Sequence, residues 1–259
     1  GVILAESLTA CGIPVRVSCF SSLRGYTVLR VLKGFSDKNL QNIHQYFASG
    51  WNRDGLQDKT LPSAADVRNA LEDKLRSLRA EGVGIDSITF SGDGEPTLNP
   101  EFPQIIDDTL ALRGRYYPEA AVSVLSNATR AHIPEVFKAL RKVDNPIMKI
   151  DAPTAELAAR INNPAPGYDP LKVADALRGF GGDFVLQTMF LKSGDFDSSS
   201  PEVLDGWMQI VRDLRPREIM VYTIARPTPQ QGLEKFSEEQ MRQLVKPLLD
   251  EGFNISIRG

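Results

Sequence analysis

Ile88-Thr89-Phe90-Ser91-Gly92-Asp93-Gly94-Glu95-Pro96-Thr97-Leu98 is the stretch on which the reading of this chain turns. A β-rich run ends in two glycines around an aspartate, followed by a carboxylate, a proline and a helix-starting segment. Glycine carries no Cβ, so the backbone at Gly92 and Gly94 can come close to a ligand. Pro96 fixes its own φ and restricts Glu95 before it to extended backbone. A strand that delivers bare backbone and a carboxylate at its C-terminal end reads as a site for something polar. A lone Gly-x-Gly also fits an ordinary βα turn, so the surroundings decide between the two.

Outward from this stretch the pattern alternates. Upstream, Ser63 to Ala80 reads as a helix with Val67, Leu71, Leu75 and Leu78 on one face. Ser63 is its N-cap, Asp66 gives an acidic first turn, and Gly82 and Gly84 end it. Ser87 to Ser91 is a short strand. Downstream, helices are expected over Phe102–Tyr117, Pro134–Lys142, Leu157–Ile161, Leu171–Phe180, Pro201–Leu214 and Ser237–Glu251. Strands are expected over Ala121–Ser126, Ile147–Ile150, Phe184–Leu191, Glu218–Ile224 and Phe253–Ile257, with a Pro-rich loop over 162–170. Strands separated by helices imply βαβ units, a parallel sheet and right-handed crossovers. About six such units favour an α/β fold of the full or partial barrel type, with the chemistry at the C-terminal strand ends. Those ends carry Gly92, Asp93, Gly94 and Glu95, then Ser126, Asn127 and Thr129, then Lys149 and Asp151. Gln187, Thr188 and Lys192 follow, and then Tyr222, Thr223 and Arg226. Each one alone fits a cap or a solvated loop group, and Asp151 and Asp144 also fit turns. A polar residue at every strand end points to a ligand site.

Composition narrows the class. The 259 residues are 42% apolar and 24% charged, ordinary for a globular chain with a real core. A net charge of −3 without a dense basic stripe gives no support for a dedicated nucleic-acid binder. No apolar run approaches the roughly 20 residues of a membrane span. The start, Gly1 to Leu4, is too short for a signal-peptide core, and Gly1 in place of Met leads us to expect a trimmed or missing start. Two cysteines, Cys11 and Cys19, form no disulfide framework, and a reducing cytoplasm is the expected compartment. His44 and His132 lie far apart and read as surface or packing residues.

The motifs quoted above resemble the radical S-adenosylmethionine (radical SAM) superfamily, and within it a subgroup of small bacterial proteins. Thr89 to Phe102 carries the glycine-rich motif, and Val124-Leu-Ser-Asn-Ala-Thr129 follows in order. Met148-Lys-Ile-Asp151, Leu186-Gln-Thr-Met-Phe190 and Met220-Val-Tyr-Thr-Ile224 continue the similarity, which runs from about Gly50 to the C-terminus. The resemblance implies a partial barrel of six β/α units over residues 50–259, with residues 1–49 an atypical segment. It implies S-adenosylmethionine as cofactor, with the glycine-rich motif and Glu95 at the methionine amino group. Ser126 and Asn127 are then expected near the ribose and carboxylate, and Gln187 and Thr188 beside the sulfonium or adenosine. The full set expected at the cofactor is Gly92, Asp93, Gly94, Glu95, Pro96, Ser126, Asn127, Lys149, Asp151, Gln187, Thr188 and Tyr222. Tyr222, Arg226, Lys192 and residues 194–200 are expected to face an unknown substrate.

The family also implies a four-iron four-sulfur (4Fe-4S) cluster held by a Cys-x-x-x-Cys-x-x-Cys loop. A reduced cluster passes an electron to the sulfonium, and the resulting 5′-deoxyadenosyl radical takes a hydrogen from the substrate, with flavodoxin or ferredoxin as electron donor. In register, Leu40, His44 and Phe47 stand where the three cysteines belong, with Tyr46 between the last two. Leucine and phenylalanine offer iron no lone pair, and one histidine does not replace three thiolates. Three origins fit this departure: a pseudoenzyme that binds SAM or a partner without turnover, a reading-frame change upstream of residue 50, or replacement of the segment. From another class, Lys149 at a strand end suggests a Schiff-base lyase, if burial lowers its pKa.

Overall fold

In this computed structural model, residues 17–23, 26–33, 61–91, 95–162, 164, 167–224 and 232–259 are described, with the backbone alone at 17–23 and 26–33. Helix α1 (Ala64–Ala80) starts where the sequence places it. Ser63 is extended, and its Oγ accepts from Asp66 N at 3.1 Å. Gly82, at φ +69, ends it, and Val83 N returns to Leu78 O at 2.9 Å. Leu75 and Leu78 are its buried face.

Six parallel strands follow in spatial order β10-β8-β6-β5-β4-β3. They are β3 (Ser87–Phe90), β4 (Ala121–Ser126), β5 (Asn145–Lys149), β6 (Val185–Met189), β8 (Glu218–Tyr222) and β10 (Ile255–Arg258). Helices α2 (Phe102–Tyr116), α3 (Pro134–Leu140), α4 (Ala155–Asn162), α5 (Pro170–Leu177) and α6 (Pro201–Leu214) make the crossovers. This is the sheet of a partial α/β barrel. Alternation along each strand sends Val122, Val124, Met148, Leu186, Ile219 and Val221 into the helix layer, where all are buried. The opposite, concave face receives Ser123, Lys149, Gln187, Met220 and Tyr222, so polar groups collect inside the curve of the sheet. Among the described residues no helix is long and apolar enough to cross a membrane.

Three departures from the sequence reading have local causes. The expected helix Ser237–Glu251 divides into α7 (Glu238–Leu244) and α8 (Lys246–Asp250), because Pro247 has no N–H and its ring crowds the preceding turn. A two-stranded antiparallel pair, β7 (Leu191–Lys192) with β9 (Glu234–Lys235), interrupts the alternation between β6 and α7. At the N-terminal end, where little amphipathic order is legible, β1 (Val17–Leu23) pairs antiparallel with β2 (Tyr26–Lys33). Thr27, Val28 and Val31 are β-branched, and that preference forms the hairpin without a polar alternation to announce it.

Thr188 fastens the sheet to the helix layer. It is fully buried, its Oγ1 donates to Ile150 O at 2.8 Å, and the same oxygen accepts from Trp207 Nε1 at 3.0 Å. Thr188→Val keeps the shape but strands the indole N–H and the carbonyl. It should lower unfolding free energy by about 1–3 kcal/mol in a urea titration. Unchanged stability would show that the bond carries no weight.

Candidate functional site

The first half of the site is built where β3 and β4 end. Pro96 starts a short 3-10 turn, Pro96–Leu98, and holds Glu95 extended just before it (φ −84, ψ 117). The half-buried Glu95 carboxylate then receives four hydrogen bonds. Its Oε1 accepts from Thr97 N (3.1 Å), Thr97 Oγ1 (2.5 Å) and Ser126 Oγ (2.7 Å). Its Oε2 accepts from Asn127 N at 2.7 Å. Two of these donors lie on β4 or directly after it, so one carboxylate ties two strand ends together. Among the described residues Oε2 has one partner, which leaves this oxygen able to accept another donor. Ala128, at φ +57, turns the chain away after β4, and Asn127 Oδ1 accepts from Thr129 N (3.0 Å) and Oγ1 (2.7 Å). The loop is braced from outside. Asn99 Nδ2 donates to Pro62 O at 2.8 Å, and Glu101 Oε2 accepts from Ala64 N at 2.8 Å, where α1 begins.

The second half lies one strand over, since Ser126 pairs with Met148 across the β4–β5 ladder. Lys149, the last residue of β5, forms an ion pair with Asp151. Asp151 has a fully buried side chain, whereas that of Lys149 is 30% exposed. Both oxygens of Asp151 are engaged within this chain: Oδ1 accepts from Met189 N (2.9 Å), and Oδ2 accepts from Asn162 Nδ2 (2.8 Å) as well as from Lys149. It therefore positions the lysine and ties β5 to β6 and to the end of α4. Burial alone would pull the Lys149 ammonium down, but Asp151, with Tyr222 and Tyr168, outweighs it and the net shift is upward. Tyr168 is pushed up to about 12, first by burial and then by the Asp151 carboxylate, with Lys149 acting the other way. Burial likewise raises Tyr222. The result is a proton-retaining cluster with a fixed cation at its edge.

Of the residues expected from sequence, Glu95, Ser126 and Asn127 form the first group, with Pro96 setting its backbone. Lys149, Asp151 and Tyr222 form the second. Gln187 pairs with Lys149 across the β5–β6 ladder and shares its concave face. Thr188 is a correction: adjacent strand residues point to opposite faces, and this one is spent in the helix layer on Ile150 and Trp207. Thr223 is likewise spent, donating to Phe190 O at 2.8 Å. Asp144 sits at the other end of the sheet and accepts from Val122 N at 2.8 Å. Gly92, Asp93, Gly94, Arg226, Leu40, His44 and Phe47 lie outside the described residues. Sequence reasoning missed Asn162 and Tyr168, which stood in a stretch read as a loop. It also offered Lys149 as a Schiff-base amine, but an amine held protonated by Asp151 is the opposite of what that chemistry needs.

This donor set suits a zwitterion with a cationic and an anionic end. Glu95 Oε2 matches an ammonium, and the Lys149 ammonium matches a carboxylate. It does not suit a 4Fe-4S cluster: two cysteines in the whole chain fall short of three thiolates. Among the described residues no group of three His, Cys, Asp or Glu is placed to hold a metal.

Residues 62–205 match the family model of the Radical SAM superfamily. A protein of Brachyspira hyodysenteriae named GTPase Obg is 26% identical over 198 residues, which is 74% of this chain and 28% of that protein. A UPF0026 protein of Synechocystis is 27% identical over 151 residues, covering 57% of this chain and 53% of that one. The chain thus spans from about a quarter to about half the length of these curated relatives. Among solved structures, Streptococcus suis SuiB bound to S-adenosylmethionine superposes with a TM-score of 0.57 at 16% identity, over 79% of this chain and 45% of that one. A domain of the pyruvate-formate lyase-activating enzyme from Bacteroides vulgatus gives 0.52 at 16% identity, over 67% of this chain and 99% of that one. At such identities these likenesses show a shared fold. With more than half its length matched by the family model, the chain belongs to the radical SAM superfamily.

Proposed function

We propose that this chain is a SAM-binding barrel that receives the methionine end of S-adenosylmethionine between Glu95 and Lys149. The observation that carries the reading is a pair of opposite charges on one rim of the sheet, Glu95 after β3 and Lys149 at the end of β5 with β4 between them, each fixed by partners of its own. In this reading Glu95 Oε2 accepts from the SAM ammonium. Lys149 spends one of its three N–H donors on Asp151 and offers another to the SAM carboxylate. Asn127 and Gln187 flank the two, and Tyr222 closes the edge as a neutral hydroxyl. The glycines Gly92 and Gly94 and the division at residue 50 belong to the same proposal by family resemblance. In a complete family member, SAM bound to a reduced cluster supplies a 5′-deoxyadenosyl radical. The thiolates for that cluster are short in this chain, so no radical step is assigned to it. The SAM-bound state of SuiB supports the reading at the level of the family.

Calorimetry should show SAM binding to the purified chain. Glu95→Ala and Lys149→Met should each weaken it at least about tenfold, the equivalent of one charge-assisted bond. Lys149→Met leaves Glu95 and its four donors intact but strips the buried Asp151 of its countercharge, so a thermal melt of each variant separates lost binding from lost fold. No heat with the wild-type chain, or wild-type affinity in both variants, would end the proposal. Anaerobic reconstitution with iron and sulfide should leave far less than four irons per chain, and a full complement would contradict the cluster assignment.

The proton-retaining cluster gives a pH signature. Lys149 and Tyr168 both have raised folded-state values, so the folded protein holds protons that the unfolded chain has lost. That stabilisation is complete below pH 10 and is lost as pH climbs through the Tyr168 value of about 12. Tyrosinate absorbance should therefore rise with a delayed phase near 12 that Tyr168→Phe removes. A single phase at 10.0, the ordinary tyrosine value, would contradict the burial.

A further inference from the structure

A groove of about 290 Å3 opens beside the rim, between the loop after β4 and the start of α5. Ala128 and Val173, both buried, belong to its apolar lining. Its walls carry Thr129, His132, Tyr168 and Lys172. The groove shares two walls with the SAM site. Thr129 bonds to Asn127, whose N–H is held by Glu95, and Tyr168 lies in the field of Lys149 and Asp151. His132 and Lys172 are both exposed, and neither makes a hydrogen bond or ion pair among the described residues. The one acid on the wall, Asp169, is engaged as the N-cap of α5, with Oδ1 accepting from Leu171 N at 2.9 Å.

We infer that this groove binds a phosphate group carried by the substrate. Lys172 supplies a point charge of the kind that binds phosphate, and His132 lines the same groove as a second donor. Two donors unpartnered among the described residues line one groove, while the nearby acid already caps α5 through one oxygen, which favours an oxyanion over a cation. His132 and Tyr168, with Ala128 and Val173, give the groove flat and apolar surface for a small group attached to the phosphate. Because Tyr168 borders both spaces, an occupant of the groove lies directly beside SAM. The inference places substrate next to the proposed SAM site, but its test does not depend on that site.

The chain has two histidines, so ring-labelled histidine gives two sets of NMR signals, and His132→Gln assigns one. At fixed pH and ionic strength, inorganic phosphate and adenosine 5′-monophosphate should each move the His132 signals saturably. Lys172→Met should weaken both responses at least about tenfold, while leaving SAM calorimetry unchanged, since Lys172 is exposed and makes no contact with Glu95 or Lys149. A tighter response to the nucleotide identifies a nucleotide as the source, and equal responses identify the phosphate alone. An absent or non-saturating shift, or an unaltered response in Lys172→Met, overturns the inference. If SAM fails to bind while the His132 response persists, the SAM reading falls and the groove stands.

Discussion

One carboxylate holds the working rim of this protein together. Glu95 accepts from the hydroxyl of Ser126 and the backbone of Asn127, and so clamps the end of β3 to the end of β4. A parallel ladder stops at its last residue pair, and beyond it neighbouring chains are free to diverge. Charge-assisted bonds of 2.7 Å at that point set the spacing of the two loops that follow. Pro96 makes the clamp possible by keeping Glu95 extended, and Thr97 returns two donors to the same oxygen. The braces from Asn99 and Glu101 to the start of α1 carry the arrangement outward into the helix layer.

The neighbouring strand solves a different problem with the opposite sign of charge. A lysine pointing into the curve of a sheet loses solvation, which alone would pull its pKa down. Asp151 prevents this, and it is itself kept in place by Met189 N and Asn162. The half-buried tyrosines Tyr168 and Tyr222 add hydroxyls whose pKa is raised, so they stay neutral. An acceptor at Glu95 and a cation at Lys149 therefore stand on one rim of the sheet, each with its geometry fixed before any ligand arrives. Pre-set charges of this kind cost little reorganisation on binding.

Much of this was legible in sequence, for reasons tied to particular residues. Ala121–Ser126 and Pro201–Leu214 match their elements at both ends because apolar runs there meet clear stops. The strand-end position of Glu95, Ser126, Lys149 and Tyr222 follows from the βαβ order alone. Thr188 was misread because it is next to Gln187, and two adjacent strand residues cannot share a face; the partners Trp207 and Ile150 decide which one turns inward. Asn162 and Tyr168 reach the site from 11 and 17 residues past Asp151, through packing that no local pattern encodes. The pair β7–β9 has two residues per strand, too few for any periodicity.

Family membership and present chemistry separate cleanly here. The barrel, the clamp and the paired charges persist, while the chain offers two cysteines where three thiolates are needed. The role proposed for the rim is binding. A crystal structure of the chain soaked with S-adenosylmethionine tests this most directly. The expected result is the methionine ammonium within hydrogen-bond distance of Glu95 and its carboxylate against Lys149. SAM seated elsewhere, with Glu95 still bonded only to Thr97, Ser126 and Asn127, would contradict it.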